Sequence, residues 1–192
     1  MTILFTHQSC LLHEVPRGHP ENPARLKVLE TAFAADEFKS LNRRDAPLGK
    51  IESIALMHSR SYIEDVTKVI SEEEFVHLDA DTSLSHGSSD AALRGCGAVC
   101  AAIDAVMIGD TKNVFCAVRP PGHHAETRMA MGFCLFNNVA IGAAYARSMY
   151  RNDGIKKIAI VDFDVHHGNG TEEIIRQLSP NVEQVNVQMS FA

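Results

Sequence analysis

The sequence has no Cys-x-x-Cys pair, no surplus of basic residues, no long uncharged apolar run and no low-complexity tract. Its five cysteines, at 10, 96, 100, 116 and 134, are an odd count, which argues against a disulfide framework and against a structural zinc knot. Cys96 and Cys100 share a helical face and read as small core residues. A formal net charge of -6 disfavours a nucleic-acid footprint, which needs Lys and Arg gathered on one face, so no direct nucleic-acid partner is expected. The opening residues, MTILFTHQSC, lack the basic start and apolar core of a signal peptide. The longest apolar stretch, Gly97 to Gly109, carries Asp104 and is too short to span a bilayer. No membrane association is expected, and the expected location is the cytoplasm.

What remains is an ordinary globular composition, 45% hydrophobic and 22% charged over 192 residues, which fits a single domain spanning 1–192. No internal repeat or linker divides it. Ile3 to Thr6 reads as a short strand. A loop punctuated by Pro16, Gly18, Pro20 and Pro23 leads to a helix, with Asn22 as its cap, Pro23 at its first position and Leu26, Leu29 and Phe33 at helical spacing. A second helix is expected near Ser61 to Ile70, with Tyr62, Val66 and Ile70 on one face. A third, rich in Ala and Gly, is expected from Ser89 to Met107. The rhythm then becomes strand (Asn113 to Val118), helix (Asn137 to Met149), strand (Lys157 to Asp164), helix (Thr171 to Leu178), and a further strand at Val182 to Val187. The two clearest strands are nearly continuous apolar runs, the mark of a parallel sheet covered on both faces.

In such sheets ligands gather at the carboxyl ends of the strands. Two unusual loops sit there: RPPGHHAETRMAMGFC, Arg119 to Cys134, and VDFDVHHGNG, Val161 to Gly170. Four of the ten histidines fall in two His-His pairs, one in each loop. If the chain stays extended, Asp162, Asp164 and His166 point the same way, so Asp164 and His166 can meet a common point. An isolated buried carboxylate costs several kcal/mol, and a cation offsets that cost. Carboxylate and imidazole without thiolate suit zinc, and equally iron, cobalt or manganese. A metal-bound water needs a base, which a carboxylate-held histidine supplies. Asp162 is placed to hold such a histidine rather than to ligate. GNGTEE could instead open a dinucleotide fingerprint, but it lacks the third glycine and follows two histidines.

RPPGHHA, GFCLFNNVA and VDFDVHHGNGT resemble the signature segments of the zinc-dependent histone deacetylase family, in the class II and bacterial branch that includes acetylpolyamine amidohydrolases. GHPENPARL (Gly18 to Leu26) and LDADTSLSHGSSDAAL (Leu78 to Leu93) are weaker echoes. The resemblance implies an arginase/deacetylase-like three-layer α/β fold with a central parallel sheet, incomplete at the C-terminus. It makes Asp164 and His166 ligands of a Zn2+ cofactor, His124 the general base and His123 its electrostatic or acid partner. Asp162 would support His123 and order the loop through a nearby structural K+, and Asn169 would support His124. Gly132 and Phe133 would line a tunnel for the substrate stem. The implied reaction is hydrolysis of the amide of acetyl-lysine or of a small acetylated amine.

The resemblance also implies a third ligand, an aspartate, and an oxyanion-stabilising tyrosine, both further downstream. None of the three tyrosines, Tyr62, Tyr145 and Tyr150, lies in a matching segment. The expectation is therefore the N-terminal portion of a deacetylase, with an open sheet edge that favours an oligomer or a complementary chain. The alternatives are a non-catalytic remnant serving as a metal-binding or interaction domain, and a dimanganese arginase-like hydrolase. The latter is disfavoured because VDFDVHHGNG lacks Asp-x-His-x-Asp.

Overall fold

The computed structural model describes residues 1–68 and 75–178. Strand β1 (Ile3–Thr6) leads into helix α1 (Ala24–Phe33). Asn22 takes the Ala24 N–H on its side chain at 3.0 Å and the Arg25 N–H on its carbonyl, closing the helix start as its position before Pro23 predicts. Strand β2 (Asn42–Asp45), helix α2 (Ile51–Ile54) and helix α3 (Arg60–Thr67) follow. The pair β3 (Val76–His77) and β4 (Ser83–Leu84) precedes the long helix α4 (Ser88–Met107). Strand β5 (Val114–Cys116), helix α5 (Asn138–Met149) and helix α6 (Asn169–Leu178) complete the described elements.

Strands β2, β1 and β5 pair in that order, all parallel, with Ile3 opposite both Asn42 and Val114. The strand period sorts β1 onto two faces. Ile3 and Phe5 pack against Ala98 and Ala105 of α4, while Leu4 packs with Leu26 of α1, Cys10 and Ala117. The sheet thus lies between helical layers. A second core, built from Ile54, Tyr62, Ile63, Val66, Leu84, Cys96, Phe136, Ile141 and Ile174, joins α2, α3 and α6 to the far side of α4 and α5. Each fully buried large side chain there contributes about 1.5–3 kcal/mol.

Three expectations change. Lys157 to Asp164 is a nearly continuous apolar run in sequence, yet it forms no ladder. Val161, Phe163 and Val165 stand 82%, 95% and 76% exposed. An apolar run becomes a strand only when a neighbour offers it a backbone ladder, and no described residue does so here. The parallel strand β2, sequence NRRD, was invisible because its side chains carry no apolar alternation. The second helix ends at Thr67 with Tyr62 and Val66 buried; Ile70 and the expected strand Val182 to Val187 lie outside the described residues. Among the described residues no helix is long and apolar enough to cross a membrane.

Candidate active site

The chain leaving β5 is anchored before it reaches the tandem histidines. Arg119, 4% exposed, sends Nε to Glu21 Oε1 at 2.6 Å and Nη2 to Oε2 at 2.8 Å, a two-pronged ion pair across 98 residues of sequence. Its remaining N–H groups reach the carbonyls of Cys10, at 2.7 Å, and His13, at 3.1 Å. The rigid guanidinium fork suits this convergence on one carboxylate and two carbonyls. The far end of the loop is anchored by His58, 3% exposed. Its Nδ1–H donates to Glu126 O and its Nε2 accepts the Asn137 N–H, both at 2.9 Å. Burial lowers the His58 pKa to about 4, so the ring is neutral at ordinary pH, as a ring that must accept one bond and donate another has to be. Asn137 caps α5 through the Ala140 N–H at 3.1 Å and ties the loop to α6 through Ala125 O and Thr171 Oγ1.

Between these anchors stand His123 and His124, ring centroids 4.1 Å apart. His123 Nδ1 meets Asp162 Oδ2 at 2.8 Å, and His124 Nδ1 meets Asn169 Oδ1 at 2.6 Å. Each donates from Nδ1, which leaves both Nε2 atoms outside these bonds. One dyad carries a carboxylate and the other an amide, so the two rings differ in the charge behind them. Gly132 makes room for this pair. Its φ is +53°, and a Cβ there would sit 2.4 Å from His124 Cδ2. Phe133 also holds a positive φ of 69°, with its N–H on Thr82 Oγ1 at 3.0 Å and its ring edge-on to His19 at 4.6 Å. Of the two expected tunnel residues, Gly132 packs on His124, whereas Phe133 contacts Thr82 and His19. Gly170 is required at the start of α6, where a Cβ would lie 2.3 Å from Ala125 O.

The backbone at Asp162, Asp164 and His166 is not extended as expected. Asp162 Oδ1 takes the Asp164 N–H at 3.1 Å and Asp164 Oδ1 takes the His166 N–H at 2.7 Å, so the backbone turns at each aspartate. Asp162 faces His123, whereas Asp164 Oδ1 and His166 Nδ1 face each other at 3.0 Å, with the His166 side chain 71% exposed. The backbone N–H of His166 lowers the Asp164 pKa, and its ring adds to the effect. Two donors are one fewer than a catalytic zinc site keeps. Among the described residues no group of three or more His, Cys, Asp or Glu could hold a metal ion. The described residues therefore do not by themselves fit the expected zinc.

Residues 19–189 match the histone deacetylase domain. The chain belongs to the histone deacetylase family. It is 38% identical to type-2 histone deacetylase 2 of Dictyostelium discoideum over 91% of this chain and 12% of that protein. It is 35% identical to the histone deacetylase-like amidohydrolase of Pseudomonas aeruginosa over 82% of this chain and 40% of that protein. The crystal structure of the HDA15 HD domain superposes with a TM-score of 0.83 at 34% identity, covering 92% of this chain and 50% of that one. The chain thus has the arginase/deacetylase fold and spans at most half the length of these relatives.

The anchors carry no clear pattern in the sequence. Glu21, His58, Glu126 and Arg119 sit in loops without periodicity; Glu21 and Arg119 lie within the motifs GHPENPARL and RPPGHHA and Glu126 directly follows the latter, but His58 is near none of them.

Proposed function

We propose that the chain supplies the tandem-histidine half of a metal-dependent amide hydrolase that removes acetyl groups from acetyl-lysine or a small acetylated amine. The observation that carries this reading is the pair of dyads, His123 with Asp162 and His124 with Asn169, side by side, with Gly132 leaving room for the His124 ring. His124, backed by a neutral amide, is the base that takes a proton at Nε2. His123, oriented by the Asp162 carboxylate, is the proposed partner that returns a proton to the departing amine. A metal ion, if bound there, would supply polarisation of the acetyl carbonyl and a more acidic water. Asp164 and His166 are its proposed ligands, together with a donor from outside the described residues. The K+ behind Asp162, the tunnel role of Gly132 and Phe133 and the cytoplasmic location belong to the same proposal.

The exposed run Val161 to Val165 bears on partners. Three apolar side chains more than 70% exposed beside a reactive cluster fit a surface covered by further polypeptide of the deacetylase domain, either continuous with this chain or in a second one. A second reading, a non-catalytic remnant, is favoured by the mutual contact of Asp164 and His166. Hydrolysis of an acetyl-lysine peptide by the chain with added Zn2+, beside His124→Ala, separates the two. Turnover that His124→Ala abolishes supports the hydrolase; two inert, folded proteins leave the remnant.

A further inference from the structure

We infer that Glu126 is a positioning residue that sets which ring nitrogen of His124 carries its proton. Asn169 by itself cannot do so. Its amide has an accepting end and a donating end, and an imidazole can meet either by changing tautomer. With Oδ1 toward His124 the ring is protonated at Nδ1; with the amide reversed it is protonated at Nε2, and its reacting lone pair is lost. What decides is behind the amide. Asn169 Nδ2 lies 3.2 Å from Glu126 Oε1 and 3.2 Å from Met131 Sδ. An ionised carboxylate only accepts, and a thioether accepts weakly. Reversing the amide would press its carbonyl oxygen against a carboxylate oxygen and leave both acceptors without a donor.

Glu126 is itself fixed. Its N–H donates to Met129 O at 2.9 Å and its carbonyl takes the His58 Nδ1–H at 2.9 Å. The chain of contacts runs His58, Glu126, Asn169, His124, from a neutral buried ring to the reacting one, and each link has a defined direction. In the neighbouring dyad the Asp162 carboxylate fixes the His123 tautomer directly. The carboxylate for His124 is displaced by one amide, which preserves the tautomer without placing an anion against the ring. The consequence for hydrolysis rests on the deacetylase reading; the tautomer itself does not.

The test is long-range 1H–15N correlation spectroscopy of the full chain labelled at histidine, without metal, near pH about 8.5, where a histidine of ordinary pKa is neutral. The wild type should show His124 protonated at Nδ1. Glu126→Gln, whose amide oxygen can still accept from Asn169, should keep that pattern. Glu126→Lys offers only a donor, turns the Asn169 oxygen toward itself and should move the His124 proton to Nε2. Glu126→Met removes the acceptor without adding a donor and should give both tautomers, which covers a failure of the lysine variant to fold. The His58 Nδ1–H signal reports an intact loop in each. A folded Glu126→Lys or Glu126→Met protein that keeps His124 wholly at Nδ1 overturns the assignment. If the tautomers respond while the wild type hydrolyses no acetyl-lysine peptide, the assignment stands and the deacetylase reading alone is lost.

Discussion

Acidification should unfasten the loop that carries the tandem histidines, and His58 is the point at which it begins. The ring is 3% exposed and its Nε2 accepts the Asn137 N–H, so protonation both buries a charge and sets two donors against each other. Burial lowers its pKa from 6.5 to about 4 in the folded state. Between those values the unfolded chain binds the proton and the folded chain does not. Stability is therefore complete above pH 6.5 and falls as the pH drops toward 4. At about 1.4 kcal/mol for each tenfold difference in proton affinity, the loss is on the order of 3 kcal/mol, a large share of the roughly 5–15 kcal/mol that holds a domain. His13, 2% exposed and lowered to about 4 by burial, adds a loss of the same sign. The assay is urea denaturation at pH steps from about 7.5 to 4, comparing wild type with His58→Gln, which does not titrate. The wild type should lose more stability than the variant by about 3 kcal/mol over that interval. Parallel curves would refute the reasoning, because they would mean that His58 is protonated in place or is already free of its clip.

Removing one partner of the Glu21–Arg119 pair should cost about 3–5 kcal/mol in denaturant titration, whereas Glu21→Leu with Arg119→Met together should cost less than the two single changes added. Gly132→Ala should cost about 1–2 kcal/mol for its backbone alone. It should also abolish any hydrolysis, since its Cβ meets the His124 ring at 2.4 Å; circular dichroism beside an activity assay checks both. Asn137→Ala removes a helix cap worth about 1 kcal/mol and two ties to the loop and α6, so its loss should exceed the cap alone by thermal melting. Phe163→Lys should raise solubility without lowering stability in this chain, by centrifugation and urea titration, because the ring is 95% exposed; an equal loss of stability would show that the ring is buried in solution.

The sequence by itself determined the elements that carry their own pattern. Asn22 before Pro23, the small-residue helix of α4 and the apolar strand β5 are local matters of capping, periodicity and burial. The site residues were legible for a similar reason: His-His pairs in two loops, with alternating aspartates in one of them, are groups that are costly to bury. Tertiary structure decided how they pair. The chain turns at each aspartate where an extended strand was expected; Asp162 still reaches His123, the ring it was expected to support, while Asp164 and His166 face each other. The same holds for Lys157 to Asp164, whose apolar residues state that it can be a strand but not which backbone will pair with it. Glu21 with Arg119, and His58 with Glu126, lie 98 and 68 residues apart in sequence, and no short-range rule connects them. Only the folded chain brings a buried charge to its counter-charge and a neutral ring to the two backbone groups that need it.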